Sequence, residues 1–245
     1  MRSFFVAAMI AMTALASAQE KKPERRVTPA EAGTKAPNND PKALQFLQRV
    51  EEKNKGLNAV HATFTQARKD HLFDETVNFE GEFWYTAKPS RFRAKYTGEN
   101  SSDVWLTEEK YIEYIPGQKQ VDMFSITKSQ EPPVSQLLLG FGVKVDKITE
   151  LFDVTSTEAA KDGETAIEFA SRDLDRTMNF HKVTVHFDEA KAEPRRIVLE
   201  DDQNEITLAF KDVDLNASID EKVFVPTWPD DGSVEVNDDA SRGRR

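Results

Sequence analysis

Residues 64–96, FTQARKDHLFDETVNFEGEFWYTAKPSRFRAKY, constrain this chain more than any other stretch. Within them Val77, Phe79, Gly81, Phe83 and Tyr85 alternate with Thr76, Asn78, Glu80 and Glu82; Trp84 is the exception. A period of two puts large apolar groups on one face of a strand and carboxylates on the other. Lys88-Pro89-Ser90 breaks the run, because proline lacks an N–H and fixes φ. The next run sets Phe92, Ala94 and Tyr96 against Arg91, Arg93 and Lys95. An acidic outer face followed by a basic one suits cross-strand pairing in an antiparallel sheet. The shared inner face is mostly rings, and such a face must be covered by a helix, a second sheet or a ligand.

The chain begins with the pattern of an export signal. Arg2 is followed by an apolar run from Phe4 to Leu15 and by Ala16-Ser17-Ala18, an A-x-A cleavage site, so residues 1–18 are read as a signal peptide. The run is shorter than the ~20 residues a membrane-spanning helix needs. There is no cysteine, which excludes disulfides and a lipid-modified cysteine after the signal. Residues 19–41 are rich in Lys, Glu, Pro and Ala and are read as a disordered tether. One domain is expected over residues 42–236, with a polar tail at 237–245.

Asp40-Pro41 opens a helix expected over residues 42–57, with Asp40 as N-cap, Leu44, Leu47 and Val50 on one face, and Gly56 at its end. Short strands follow at 103–107, 111–115 and 120–126, with a Pro116-Gly117 turn before the third. Glu131-Pro132-Pro133 stops them. Leu137 and Leu138 lie in a short apolar segment that reads either as a buried helix end or as a lid over the sheet mouth. Residues 143–151 read as a further helical turn or two. Strands return at 152–157, 165–171, 182–187, 195–200, 205–212 and 222–225. The fold class expected is mainly β: one curved antiparallel sheet that curls into a barrel or half-open half-barrel, with the N-terminal helix and a short helical lid as its candidate covers.

No catalytic constellation emerges. His61, His71, His181 and His186 are the only histidines, and none has a ligand-spaced partner, so no metal site is expected. Phosphate-binding loops, dinucleotide fingerprints and nucleophile elbows are absent from the sequence, so no cofactor is expected. Glu80 and Glu82 share the polar strand face, unlike the facing carboxylates of a glycosidase. A net charge of −10 and a pI of 5.1 lack the basic footprint of a nucleic-acid binder.

Six segments taken together carry a resemblance. They are FTQ (64–66), EGEFW (80–84), KPSRF (88–92), YIPGQKQ (114–120), PPVSQLL (132–138) and IDEKVFVP (219–226). Their order and spacing resemble the periplasmic outer-membrane lipoprotein carrier family, LolA. The resemblance implies an incomplete barrel that binds acylated lipoproteins, takes them from an inner-membrane lipoprotein-releasing transporter and hands them to an outer-membrane receptor. It implies a non-enzymatic, exported, periplasmic monomer that touches membrane complexes only transiently. The cavity wall expected is Phe64, Phe79, Phe83, Tyr85 and Phe92, continued by Tyr96, Leu106, Tyr114 and Met123. Leu137 and Leu138 would form the lid. Lys88, standing where family members typically carry Arg, would latch it. The rival reading is an envelope regulatory or sensing module that uses the same half-barrel to bind lipoproteins or lipids.

Overall fold

Asp40 starts the first helix as the sequence requires: its carboxylate accepts from the Lys42 N–H at 2.9 Å, and Pro41 takes the first helical position. The computed structural model describes residues 38–107, 109–125, 141, 144–157, 163–172 and 180–238. Helix α1 spans Pro41–Lys53 and buries Ala43, Phe46, Leu47 and Val50. It ends before the expected Leu57, because Asn54 leaves helical geometry and Gly56 adopts φ 85°.

Five strands run down one side as a meander: β1 (Ala59–Asp70), β2 (Glu75–Ala87), β3 (Ser90–Thr97), β4 (Asp103–Leu106) and β5 (Lys110–Ile115), followed by β6 (Gln120–Ser125). Helix α2 (Val145–Leu151) leads into β7 (Phe152–Thr157), β8 (Glu164–Ser171), β9 (Lys182–Asp188), β10 (Glu193–Glu200) and β11 (Asn204–Leu215). The last strand is β12 (Glu235–Asp238). All twelve belong to one sheet, ordered β12-β6-β5-β4-β3-β2-β1-β11-β10-β9-β8-β7. Every pairing is antiparallel except β12 with β6. The two meanders meet where β11 returns beside β1, and the sheet does not close on itself. That is the half-open, mainly β architecture expected.

One face, here the inner face, carries a continuous apolar core. Ile167, Phe169, Val183, Val185, Phe187, Ile197, Leu199, Ile206 and Leu208 are buried there, as their alternation requires. Helix α1 lies on this half, with the Phe46 ring 5.1 Å from that of Phe187. The residues just before α1 stitch it to the outermost strand: Asp40 N–H donates to the Val154 carbonyl at 2.7 Å, and Val154 N–H donates to Asn39 at 2.9 Å. The edge of β7 is thereby occupied.

The other half differs, because both faces of β4–β6 are covered. Trp105, Ile112 and Val121 point outward and pack with Tyr114, Met123, Trp228 and Val234. The cover is the chain after β11. Residues 222–225, expected as a strand, instead form a 3-10 turn over Glu221–Phe224, capped by Asp220 accepting from Lys222 N–H at 2.9 Å. Residues 235–238, which straddle the expected boundary between the domain and its polar tail, form β12.

The basic strand pairs differently from expectation. Glu82 stands opposite Lys95 in the register, but Arg93 turns to Asp103 at 2.9 Å and Arg91 grips Glu221 at 2.9 Å. The positive charges of β3 therefore anchor β4 and the C-terminal segment.

Candidate functional site

The inner face of β1–β5 is a floor of rings held by their own alternation. Phe64 comes from β1, Phe79 and Phe83 from β2, Phe92 and Tyr96 from β3, and all are buried. Phe83 is the hub: its ring lies 5.8 Å from Phe92, 5.9 Å from Phe210 and 6.0 Å from Phe141. Tyr96 meets Phe64 and Phe79 edge-on at 5.3 and 6.0 Å. Such tilted arrangements suit aromatic quadrupoles and leave a surface with little directional preference. Phe141 sits over this floor as a plug, 2 % exposed and 5.4 Å from Phe210.

Beside the plug, between the end of α1 and the end of β2, opens a pocket of about 560 Å³. Leu57, Tyr85, Ala87 and Phe141 form its apolar side, and Glu51, Glu52, Lys55 and Lys144 its charged rim. Tyr85 is half-buried there, and partial desolvation raises its phenol pKa.

The far end of the floor is polar. Glu113 on β5 is 1 % exposed and accepts from the Tyr111 hydroxyl at 3.0 Å. Burial drives its pKa up to about 7, opposed by Tyr111 and Ser102 and reinforced by the charge of Asp122. Tyr96 donates its hydroxyl to Gln66 at 3.1 Å. Burial and the neighbouring Glu113 push both Tyr96 and Tyr111 well above the usual phenol range.

Of the expected wall residues, Phe64, Phe79, Phe83, Phe92, Tyr96 and Leu106 share the inner core, and Tyr85 packs against it at the mouth. Tyr114 and Met123 are corrections: they lie on the outer face, in the cluster with Trp228. In β5 the inward positions are Tyr111 and Glu113, so a buried carboxylate occupies a site the hydrophobic pattern assigns to the outside. Covering both faces removes the contrast by which a strand's orientation is read. Tyr111, Phe141, Phe210 and Glu113 are the residues of this floor missing from the expected wall. Lys88 is exposed at the β2–β3 turn, where its bond to Pro89 is cis. Leu137 and Leu138 fall outside the described residues.

The histidines are dispersed. His61 stacks on Trp84 at 5.2 Å, His181 meets Asp202 at 2.7 Å, and His186 is buried beside Arg196 and Glu164. Among the described residues no group of three or more His, Asp or Glu could hold a metal ion.

The sequence profile of the family described as "Outer membrane lipoprotein carrier protein LolA" matches residues 55–227. The chain belongs to the LolA family. No curated protein sequence matches it significantly. Among solved structures it is similar to an uncharacterized conserved protein from Thermus thermophilus, at 12 % identity over 78 % of this chain and 96 % of that one, TM-score 0.48. It is also similar to a LolA superfamily protein from Nitrosomonas europaea, at 13 % identity over 75 % and 97 % of the two chains, TM-score 0.40. The lipoprotein LppX of Mycobacterium tuberculosis aligns at 15 % identity over 74 % and 99 %, TM-score 0.43. The LolA match begins just after α1, takes in the ring floor and the turn at Glu221–Phe224, and ends before Trp228. In this LolA-family chain FTQ supplies Phe64 and Gln66 to the inner face, KPSRF supplies Phe92, and IDEKVFVP supplies Glu221 and Phe224, which engage Arg91 from outside.

Proposed function

We propose that this chain is a non-enzymatic periplasmic carrier that shelters the acyl chains of lipoproteins on the ring floor and delivers them toward the outer membrane. The observation that carries this reading is a LolA-family sheet whose inner face presents Phe64, Phe79, Phe83 and Phe92 beside an open mouth. Alkyl tails gain ~0.8 kcal/mol per CH₂ removed from water and need no directional partner, which suits a mixed set of tails. Phe141 is a removable plug: a tail entering at Tyr85 replaces its ring contacts with Phe83 and Phe210. Leu137 and Leu138 act with it as the lid, and Lys88 as its latch.

Residues 1–18 export the chain, which works as a monomer. It receives cargo from an inner-membrane lipoprotein-releasing transporter and passes it to an outer-membrane receptor. Its negative charge keeps it from lingering on anionic membrane surfaces. The test is mass spectrometry of what co-purifies with the mature protein from an envelope extract, joined to displacement of a fluorescent acyl probe. Acylated lipoproteins that compete with the probe are the expected result. Failure of any acyl chain to bind overturns the reading.

A further inference from the structure

Asn54 closes helix α1 with its backbone alone. Its N–H donates to the Val50 carbonyl at 3.0 Å, and its carbonyl accepts from the Leu57 N–H at 2.9 Å. The side chain is not needed to build this turn, yet Asn54 is only 8 % exposed and lines the mouth pocket. Its Nδ2 has no hydrogen-bond partner among the described residues. A buried amide in that state forfeits its hydration and gains nothing in return, which calls for a partner. The polar groups around it are committed elsewhere. Glu51 accepts from the Val145 N–H at 3.1 Å, Glu52 pairs with Lys55 at 3.6 Å, and the Asn58 carbonyl accepts from the Ala87 N–H at 2.8 Å.

We propose that Asn54 is a head-group site in the mouth pocket, where its Nδ2 donates to the carbonyl oxygen that joins an acyl tail to a neutral head. The pocket suits both parts of such a ligand. Leu57, Tyr85, Ala87 and Phe141 offer an apolar side to the first methylenes, and Phe141 is also in ring contact with Phe83 and Phe210 of the floor. The rim sets two carboxylates, Glu51 and Glu52, against two ammoniums, Lys55 and Lys144, so it has no excess charge with which to select an ionic head. A carbonyl held at Asn54 keeps the head at the mouth and sends the tail toward Phe141. This inference rests on the carrier reading and adds which end of the cargo stays outermost.

The test compares methyl dodecanoate with dodecyl methyl ether, which has the same length and lacks only the carbonyl, as competitors of a bound fluorescent acyl probe on the mature protein. The ether leaves water more readily, so the quantity read is the ester-to-ether affinity ratio of the wild type against that of Asn54→Leu. The wild-type ratio should be about three- to tenfold higher, the worth of one hydrogen bond. Urea unfolding without ligand checks the premise. An unmatched amide replaced by an apolar group of similar volume should leave Asn54→Leu at least as stable as the wild type. A ratio unchanged by the substitution overturns the head-group site and leaves the carrier reading standing. A clear loss of unliganded stability overturns it too, because the amide then has a partner within the fold. Tighter binding of dodecanoate or dodecylamine than of the ester overturns the neutral head. If the probe itself fails to bind, the carrier reading falls and this inference with it.

Discussion

Phe64 and Gly81 are register partners on β1 and β2, and the Phe64 Cζ stands 2.9 Å from where a Cβ on Gly81 would be. The Lys95 carbonyl closes the other side of that point at 2.5 Å. The ring occupies the space a side chain would need, so the glycine in the EGEFW motif is there to let rings cross the sheet. Gly81→Ala should destabilise the domain by about 1–3 kcal/mol, the usual cost of overpacking, read as a lower urea midpoint at constant slope. An unchanged midpoint would show that the ring has room to retreat.

Phe83 touches four other rings, and Phe141 touches two of the same set. Phe83→Ala should cost about 3–5 kcal/mol and weaken acyl-probe binding with it. Phe141→Ala should separate the two effects, lowering stability less and making probe uptake faster. Stopped-flow uptake and equilibrium unfolding on the same variants decide the matter.

Glu113 gives stability a pH dependence of known sign. Its carboxyl titrates near 7 when folded, against 4.5 unperturbed, so between those values the folded state holds a proton the unfolded state has lost. Stability should therefore fall as pH rises from about 4.5 to about 7 and level off above. The shift corresponds to roughly 3 kcal/mol at full extent. Glu113→Gln should flatten that descent in urea unfolding series taken across the range.

Arg93 is the joint between the sheet and its outer strap. It stacks over Trp84 and Trp105 at 5.3 and 5.1 Å, pairs with Asp103, and donates to the Val223 carbonyl at 3.2 Å. Arg93→Ala should cost about 2–4 kcal/mol and Arg93→Lys nearly as much, because the planar stacked fork is lost in both. Rescue by lysine in thermal unfolding would show that charge alone matters.

Lys88 tests the latch. If it holds the lid shut, Lys88→Ala favours the open state, tightening acyl-probe uptake and slowing release to an acceptor, while Lys88→Arg does the opposite. Identical rates in all three proteins would leave Lys88 as a turn residue.

The sheet was legible wherever one face met water. Residues 77–85 alternate because their polar partners are solvated, and Phe79 and Phe83 of β2, like Ile167 and Phe169 of β8, are buried as their spacing requires. The reading failed where that contrast vanished. Trp228 and Val234 cover the back of β4–β6, so Tyr114 and Met123 are sheltered on the outside while Glu113 is buried on the inside. A carboxylate at a core position inverts the apparent parity of its strand. Residues 222–225 misled for another reason: Val223, Phe224 and Val225 have strand composition, but Asp220 caps a turn that buries Phe224 against Arg91 and leaves Val225 exposed. Phe141 carried no periodic signal, being a single ring delivered by a connection.

The described residues begin and end at opposite margins of the same sheet. Residues 38–40 are bonded along β7, and β12, which lies along β6, stands at the other end of the strand order. On the proposed carrier reading, widening of the half-barrel separates these margins. A pair of spectroscopic labels at Asn38 and Asp238 would thus act as a calliper, reporting the aperture from outside without touching a residue that meets the tail.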